Sequence, residues 1–310
     1  MLENRALHCV LGAYVADAAA LGFHWLYDQS LIARYGGDHP EFHLPNREEY
    51  GDKGYFAHEG KAIGDLSHYG AQLTAMLDSL QSSGDYQEER YIQAYRHWFD
   101  FGGMWQGYID HPTRGTLLNI YQREAQEQPL SGCGADDTQN PALSNLPALI
   151  AYCGHQDDIS QAVESAVRVT NNNDQAVLYA QAAALMLQSA LRGGSPYVCV
   201  MAARNAGAFI DAQIDKAESL SEKTSREVAA EVGMACQLEA SFVVICHLLL
   251  NTQSYEQAIR ENILCGGDSC GRAITLGAVL GACYSGTEQT IPAEWITKTQ
   301  LPPVLFQSLR

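Results

Sequence analysis

Apolar residues in this 310-residue chain recur at helical spacing and not at alternate positions, a period that selects helices over strands. The stretches 180–191 and 228–250 carry it most clearly, in a chain rich in Ala, Leu and Gln, which lose little on entering a helix. Candidate helices cover 4–22, 70–82, 86–100, 114–125, 141–153, 158–169, 173–191, 197–217, 224–250, 255–264 and 270–284. Between them lie clusters of Gly, Asn, Asp and Ser that form loops and caps: HEGKAIGDLSHYG (58–70), SGCGADDTQNP (131–141), TNNND (170–174) and CGGDSCGR (265–272). The segment 35–56, with two prolines and many turn formers, reads as a long irregular surface excursion bordering a site. No fixed repeat period is present, so the expected fold is all-α, a compact orthogonal helix array and not a solenoid. No Pro/Gly/Ser-rich linker divides the chain, and residues 1–310 are expected to form a single domain.

Charge narrows the partners. A formal net charge of −17 and a pI near 4.9 repel phosphate backbones and anionic lipid surfaces, so neither nucleic acid nor membrane is expected. With 46% hydrophobic and 18% charged residues, the chain can bury a large core. The N-terminal stretch is apolar but carries Asp17 and lacks a basic start, which makes it a core helix and not a signal sequence. No uncharged apolar run reaches the about 18 residues of a membrane span. Nine scattered cysteines without a CxxC pair fit neither a disulfide framework nor a zinc site, and point to reduced thiols in a cytoplasm.

The segment 263–286 (ILCGGDSCGRAITLGAVLGACYSG) is the strongest local feature. Gly266 and Gly267 end one helix, and Asp268 or Ser269 caps the next, whose Ala273, Gly277, Ala278, Gly281 and Ala282 permit very close packing. Near the other end, Asp17 lies in an Ala-rich apolar helix, where an ionised carboxylate is costly unless it meets a cation, a metal or several donors. A third cluster sets Asp65, Ser67 and His68 just ahead of a helix. Asp136 and Asp137 read either as a carboxylate pair of the glycosidase type or as a cap ahead of Pro141. Thr170, Asn171, Asn173 and Asp174 offer more amide donors and acceptors than one cap requires, suited to ribose hydroxyls.

Taken in order, these elements resemble the ADP-ribosylglycohydrolase family over nearly the whole chain. The resemblance implies an all-α array and a cleft that holds metal, usually a pair of Mg²⁺ ions, on an early Asp-Asp-Thr motif and a late Gly-Gly-Asp-Thr-Asp-Thr motif. The implied chemistry is hydrolysis of an N- or O-glycosidic link of ADP-ribose or a related nucleotide sugar. The late motif keeps Gly266, Gly267 and Asp268; Ser269 stands for the first Thr, Cys270 for the second Asp and Gly271 for the next Thr, followed by Arg272. In the early motif Asp65 matches one acid, Leu66 replaces the other and Ser67 replaces the Thr. The same departures, with TRGTLLN (113–119) and TNNNDQAVLYA (170–180), are similar to the branch that includes the jellyfish J1-crystallin-like proteins.

By that resemblance Asp65, Asp268 and Asp137 are the expected catalytic residues. Asp17, Ser67, His68, Asp136, Thr170, Asn171, Asn173, Asp174, Ser269, Cys270 and Arg272 are expected to bind substrate, a small nucleotide sugar or an ADP-ribosylated molecule. Asp65, Ser67 and Asp268, with Asp17 near them, remain as oxygen donors for a weakened Mg²⁺ site, since Leu66 and Cys270 remove charge and ligands. No organic cofactor is expected. Two alternatives stay open: a non-catalytic binding or scaffold homologue, and an enzyme using Cys270 as a thiolate favoured by a helix N-terminus and Arg272.

Overall fold

Small residues on two helices far apart in sequence set the centre of the fold. The Asn4–Ala20 helix crosses the Ser269–Cys283 helix so closely that a Cβ at Gly12 would lie 2.2 Å from the Gly277 carbonyl oxygen, and one at Gly281 2.2 Å from that of His8. Both helices are buried along most of their length. Around them pack the other helices, including His68–Ser83, Leu146–Cys153, Asp174–Leu191 and Leu238–Asn251. The computed structural model describes residues 4–156 and 159–307, and among these there are α-helices and short 3-10 turns but no strand, only isolated bridges such as Leu26 to Gly54. The all-α expectation holds.

Differences from the sequence-based helices have physical causes. The expected 197–217 helix is two, Pro196–Ala203 and Ala208–Ser219, parted at Gly207 with φ 119°. The expected 224–250 helix likewise splits into Ser225–Val232 and Leu238–Asn251 at Gly233, φ 118°, a conformation no helix contains. The turn so created carries the Met234 carbonyl, which accepts the Asp268 backbone N–H at 2.8 Å. The span 141–153 becomes a 3-10 turn, Asn140–Leu143, and the helix Leu146–Cys153. Of the expected 158–169 helix, Ser160–Thr170 is observed, and residue 158 lies outside the described residues.

Helices Gln29–Gly36, Ala293–Lys298 and Pro303–Gln307 escaped the periodicity because they are short. The 35–56 excursion is not wholly superficial. Its short helix Arg47–Tyr50 buries Tyr50, whose hydroxyl donates to the carbonyls of Gly22 (3.2 Å) and His24 (2.8 Å). The run Asn4–Phe23 proves long and apolar enough, by length and composition, to cross a membrane, with mean hydropathy 1.5. Here it is the central helix, and 89% of that window is buried inside the protein.

Replacing Gly277 by Val would force apart backbones already in contact. Overpacking of this kind should lower unfolding free energy on the order of 3 kcal/mol, read as a lower urea midpoint with unchanged slope; an unshifted midpoint would mean that the crossing has slack.

Candidate active site

The two-glycine turn positions the central carboxylate. Gly266 and Gly267 take left-handed φ values of 76° and 65°, and a Cβ at Gly267 would lie 2.0 Å from the Met234 carbonyl oxygen. Two backbone bonds of 2.7 Å, Trp25 N–H to Gly267 O and Gly267 N–H to Leu26 O, tie the turn to the segment after the first helix. Trp25 is itself left-handed (φ 65°), an uncommon state for a bulky residue that this docking holds in place. Asp268 is wholly buried and collects four donors. His24 Nε2 (2.8 Å) and Gly271 N–H (3.1 Å) reach Oδ1; Tyr69 O–H (2.8 Å) and Asn140 Nδ2 (2.8 Å) reach Oδ2. Burial alone would raise this carboxyl, but the donors, His24 foremost, outweigh it and hold it well below the usual carboxylate range. Burial lowers His24 from the ordinary imidazole value, against the pull of the Asp268 carboxylate.

Beside this lies a second buried acid. Asp17 accepts the backbone N–H of Ser67 (2.8 Å) and its hydroxyl, and Ser67 in turn caps the His68–Ser83 helix. Gly70 makes the approach feasible, since a Cβ there would lie 2.5 Å from Asp17 Oδ2. Burial pushes the Asp17 carboxyl up to about 6 against these hydrogen bonds.

A pair of carboxylates, Asp110 and Asp137, lies beside the exposed His111. Asp110 caps the His111–Ala125 helix through Thr113 N–H (2.7 Å), and its Oδ2 lies 3.1 Å from His68 Nε2. Burial would raise Asp110; the His68 ring and the Thr113 donors prevail and hold it below the usual value. Asp137 accepts from Gln139 N–H (2.8 Å), Asn171 Nδ2 (3.3 Å) and the His111 ring (3.2 Å). Burial, assisted by the charge of Asp110, keeps Asp137 raised. The His111 side chain is 72% exposed, so this dyad meets solvent directly. Trp25, Tyr55 and Tyr108 pack in a mutual cluster with ring centroids 5.1–5.8 Å apart, and Tyr108 also meets the His68 ring edge-on.

The ADP-ribosylglycohydrolase family model matches residues 1–309. The chain belongs to the ADP-ribosylglycohydrolase family. Among its relatives are Crystallin J1A and Crystallin J1B of Tripedalia cystophora, each 27% identical, with matches covering 96% of this chain and 92% of each relative. A solved ADP-ribosylglycohydrolase-related protein complex shares the fold, with a TM-score of 0.68 at 18% identity, covering 96% of this chain and 93% of that one.

Within this family frame the expected site residues are placed unevenly. Asp17, Ser67 and Asp268 converge beneath the His68–Ser83 helix start, and His68 faces Asp110. Asp137 and Asn171 meet, and Asn173, the cap of the Asp174–Leu191 helix, donates to exposed Asp136 at 2.7 Å. Asp65 turns away: its Oδ2 accepts Ala62 N–H (2.8 Å) within its own loop, and no hydrogen bond joins it to Asp268 among the described residues. Thr170 hydroxyl donates to Val167 O, and Asp174 pairs with Arg168 in solvent. Ser269 is buried against Ala20 O. Arg272 is buried as well, donating to Asn262 Oδ1 (2.9 Å) and Gly266 O (2.6 Å), so it braces the glycine turn from behind. Cys270 points at Asp17 O (3.6 Å), and burial pushes its thiol well above the ordinary value, the reverse of what a thiolate nucleophile needs.

His24, His58, Tyr69, Asp110 and Asn140 were not visible as site residues in the sequence. Asp110 sits before His-Pro and could be read as a helix cap, but a cap alone carries no chemistry. His24 and Asn140 show no local signal at all, because their partner is Asp268.

The donor set does not fit Mg²⁺. Each Asp268 oxygen already accepts two N–H or O–H donors, both Asp17 oxygens face Ser67, Leu66 and Cys270 offer no hard oxygen, and Asp65 is turned aside. No group of three or more His, Cys, Asp or Glu side chains is arranged to hold a metal among the described residues.

Asp17 supplies a pH test. Its folded value near 6 exceeds the ordinary 3.8, so the folded state holds this proton more tightly. Stability from this group is therefore full at low pH and falls as pH rises from about 4 to about 6. Relative to Asp17→Asn, the native chain should lose stability across that window, on the order of 3 kcal/mol; parallel urea-midpoint profiles for the two proteins would refute the assignment.

Proposed function

We propose that the protein hydrolyses an N- or O-glycosidic link of ADP-ribose or a related nucleotide sugar, releasing it from a modified substrate. The observation that carries this reading is the division between two neighbouring carboxyls, Asp137 raised by burial and Asp110 held low by His68 and Thr113. Glycoside cleavage needs one group to carry a proton and another to remain negative opposite the developing oxocarbenium charge. Asp137, open to solvent through His111, suits the first role, and Asp110 the second. The bond from the anomeric carbon to the leaving nitrogen or oxygen breaks, Asp137 protonates the leaving atom, and water adds to the sugar, returning its proton to Asp137.

Recognition is supported by groups around the pair. Asn171 Oδ1 is buried without a hydrogen-bond partner among the described residues, an acceptor suited to a ribose hydroxyl. The exposed Arg114, whose guanidinium carbon lies 5.9 Å from the Tyr108 ring centre, supplies positive charge for phosphates in an otherwise acidic chain, and the exposed His111 ring stands beside it. No step needs a metal.

Purified protein should release ADP-ribose from Arg-, Ser- or acetyl-linked substrates, and Asp137→Asn should reduce turnover about 10²–10⁴-fold. Because the proton donor is a raised carboxyl, activity should be retained at low pH and fall as pH rises through a value above the ordinary carboxyl range. Absence of release from every linkage would overturn the reading. Calorimetric binding of ADP-ribose without turnover would instead support a non-catalytic ligand-binding homologue, a second reading favoured by the crystallin relatives.

A further inference from the structure

We propose that Asp268 does not serve as a metal ligand but anchors a buried hydrogen-bonded line, Asp268–His24–His58, that holds the site together in place of a cation. With Asp268 ionised and both rings neutral, the contacts assign each proton. Ionised Asp268 can only accept, so His24 Nε2, 2.8 Å away, carries a proton. His24 is fully buried, and the carboxylate facing it is already shared with Tyr69, Asn140 and Gly271, which leaves a neutral ring as the form this environment accommodates. A neutral ring protonated on Nε2 has a bare Nδ1, and that atom lies 2.6 Å from His58 Nε2. His58 must then donate from Nε2, and its Nδ1 becomes an acceptor. That Nδ1 is buried and has no hydrogen-bond partner among the described residues, so it is the unsatisfied end of the line.

The line joins three parts of the chain. His24 follows the first helix, His58 lies in the loop before the His68–Ser83 helix, and Asp268 caps the Ser269–Cys283 helix. A divalent ion clamps distant segments by sharing their oxygens; here two imidazoles span the same gap with directed bonds and no added charge. The aromatic stack fixes the rings: His24 and His58 centroids are 4.9 Å apart at 21°, and Trp25 lies over both. His24 and His58 are positioning residues, and the inference is independent of which substrate the cleft accepts.

The test uses the intact protein with ¹⁵N-labelled histidine. Long-range ¹H–¹⁵N spectra should show His24 and His58 both protonated at Nε2 only. His58→Gln, whose amide can replace the Nε2 donor, should leave the His24 pattern in place, whereas His58→Phe should alter it with the helical circular dichroism unchanged. Calorimetric titration with millimolar MgCl₂ should give no saturable heat, and EDTA treatment should not move the melting temperature. A His24 protonated at Nδ1, or saturable Mg²⁺ binding abolished by Asp268→Asn, would overturn the proposal. Should His58→Phe fail to fold, the native spectrum and the magnesium titration still decide the question.

Discussion

Two helices that nearly touch through glycine hold the rest of the molecule in register. Because Gly12, Gly277 and Gly281 carry no side chain at the crossing, the Asn4–Ala20 and Ser269–Cys283 helices run against each other at backbone distance. Asp17, near the end of one, and Asp268, at the start of the other, are thereby brought to the same layer. The 24–26 segment leaving the first helix then pairs with the Gly266–Gly267 turn, so His24 reaches Asp268 without a long side chain. Larger residues at the crossing would separate these backbones and every hydrogen bond that depends on them.

Burying so many charged and polar groups in one place demands compensation. Asp268 has four donors and Asp17 has two from a single serine, which is how two carboxylates persist in an apolar, glycine-packed interior. The same satisfaction removes them as magnesium ligands. What would be a charged cleft around ions becomes a hydrogen-bonded polar core, while the carboxyls still able to exchange protons with solvent, Asp137 foremost, stand at its edge. Family membership and the fold are thus found together with a hydrogen-bonded centre.

The sequence showed helices, the glycine-rich turn and the acids at both ends, because each rests on local rules: periodicity, capping and the conformational freedom of glycine. It also allowed the family pattern, and with it Asp17, Asp137, Asn171 and Asp268, to be picked out as candidates. Helix breaks at Gly207 and Gly233 were harder, since a glycine inside an apolar run is compatible with a continuous helix until a neighbour requires the turn. Asp65 matched a motif position, yet its carboxylate closes its own loop, and motif matching cannot see which way a side chain turns.

What the sequence alone determined is the class of fold and the candidacy of Asp17, Asp137 and Asp268, because these follow from spacing and residue type, whereas Asp110 entered only with the tertiary structure. Only tertiary structure decided what those acids do. Asp268 is a hydrogen-bond hub because His24, Tyr69 and Asn140 arrive from elsewhere in the chain, and Asp110 and Asp137 differ because one faces a buried imidazole and the other an exposed one. The ionisation of a carboxyl is set by desolvation and by donors in space, and neither quantity is a property of neighbours in sequence.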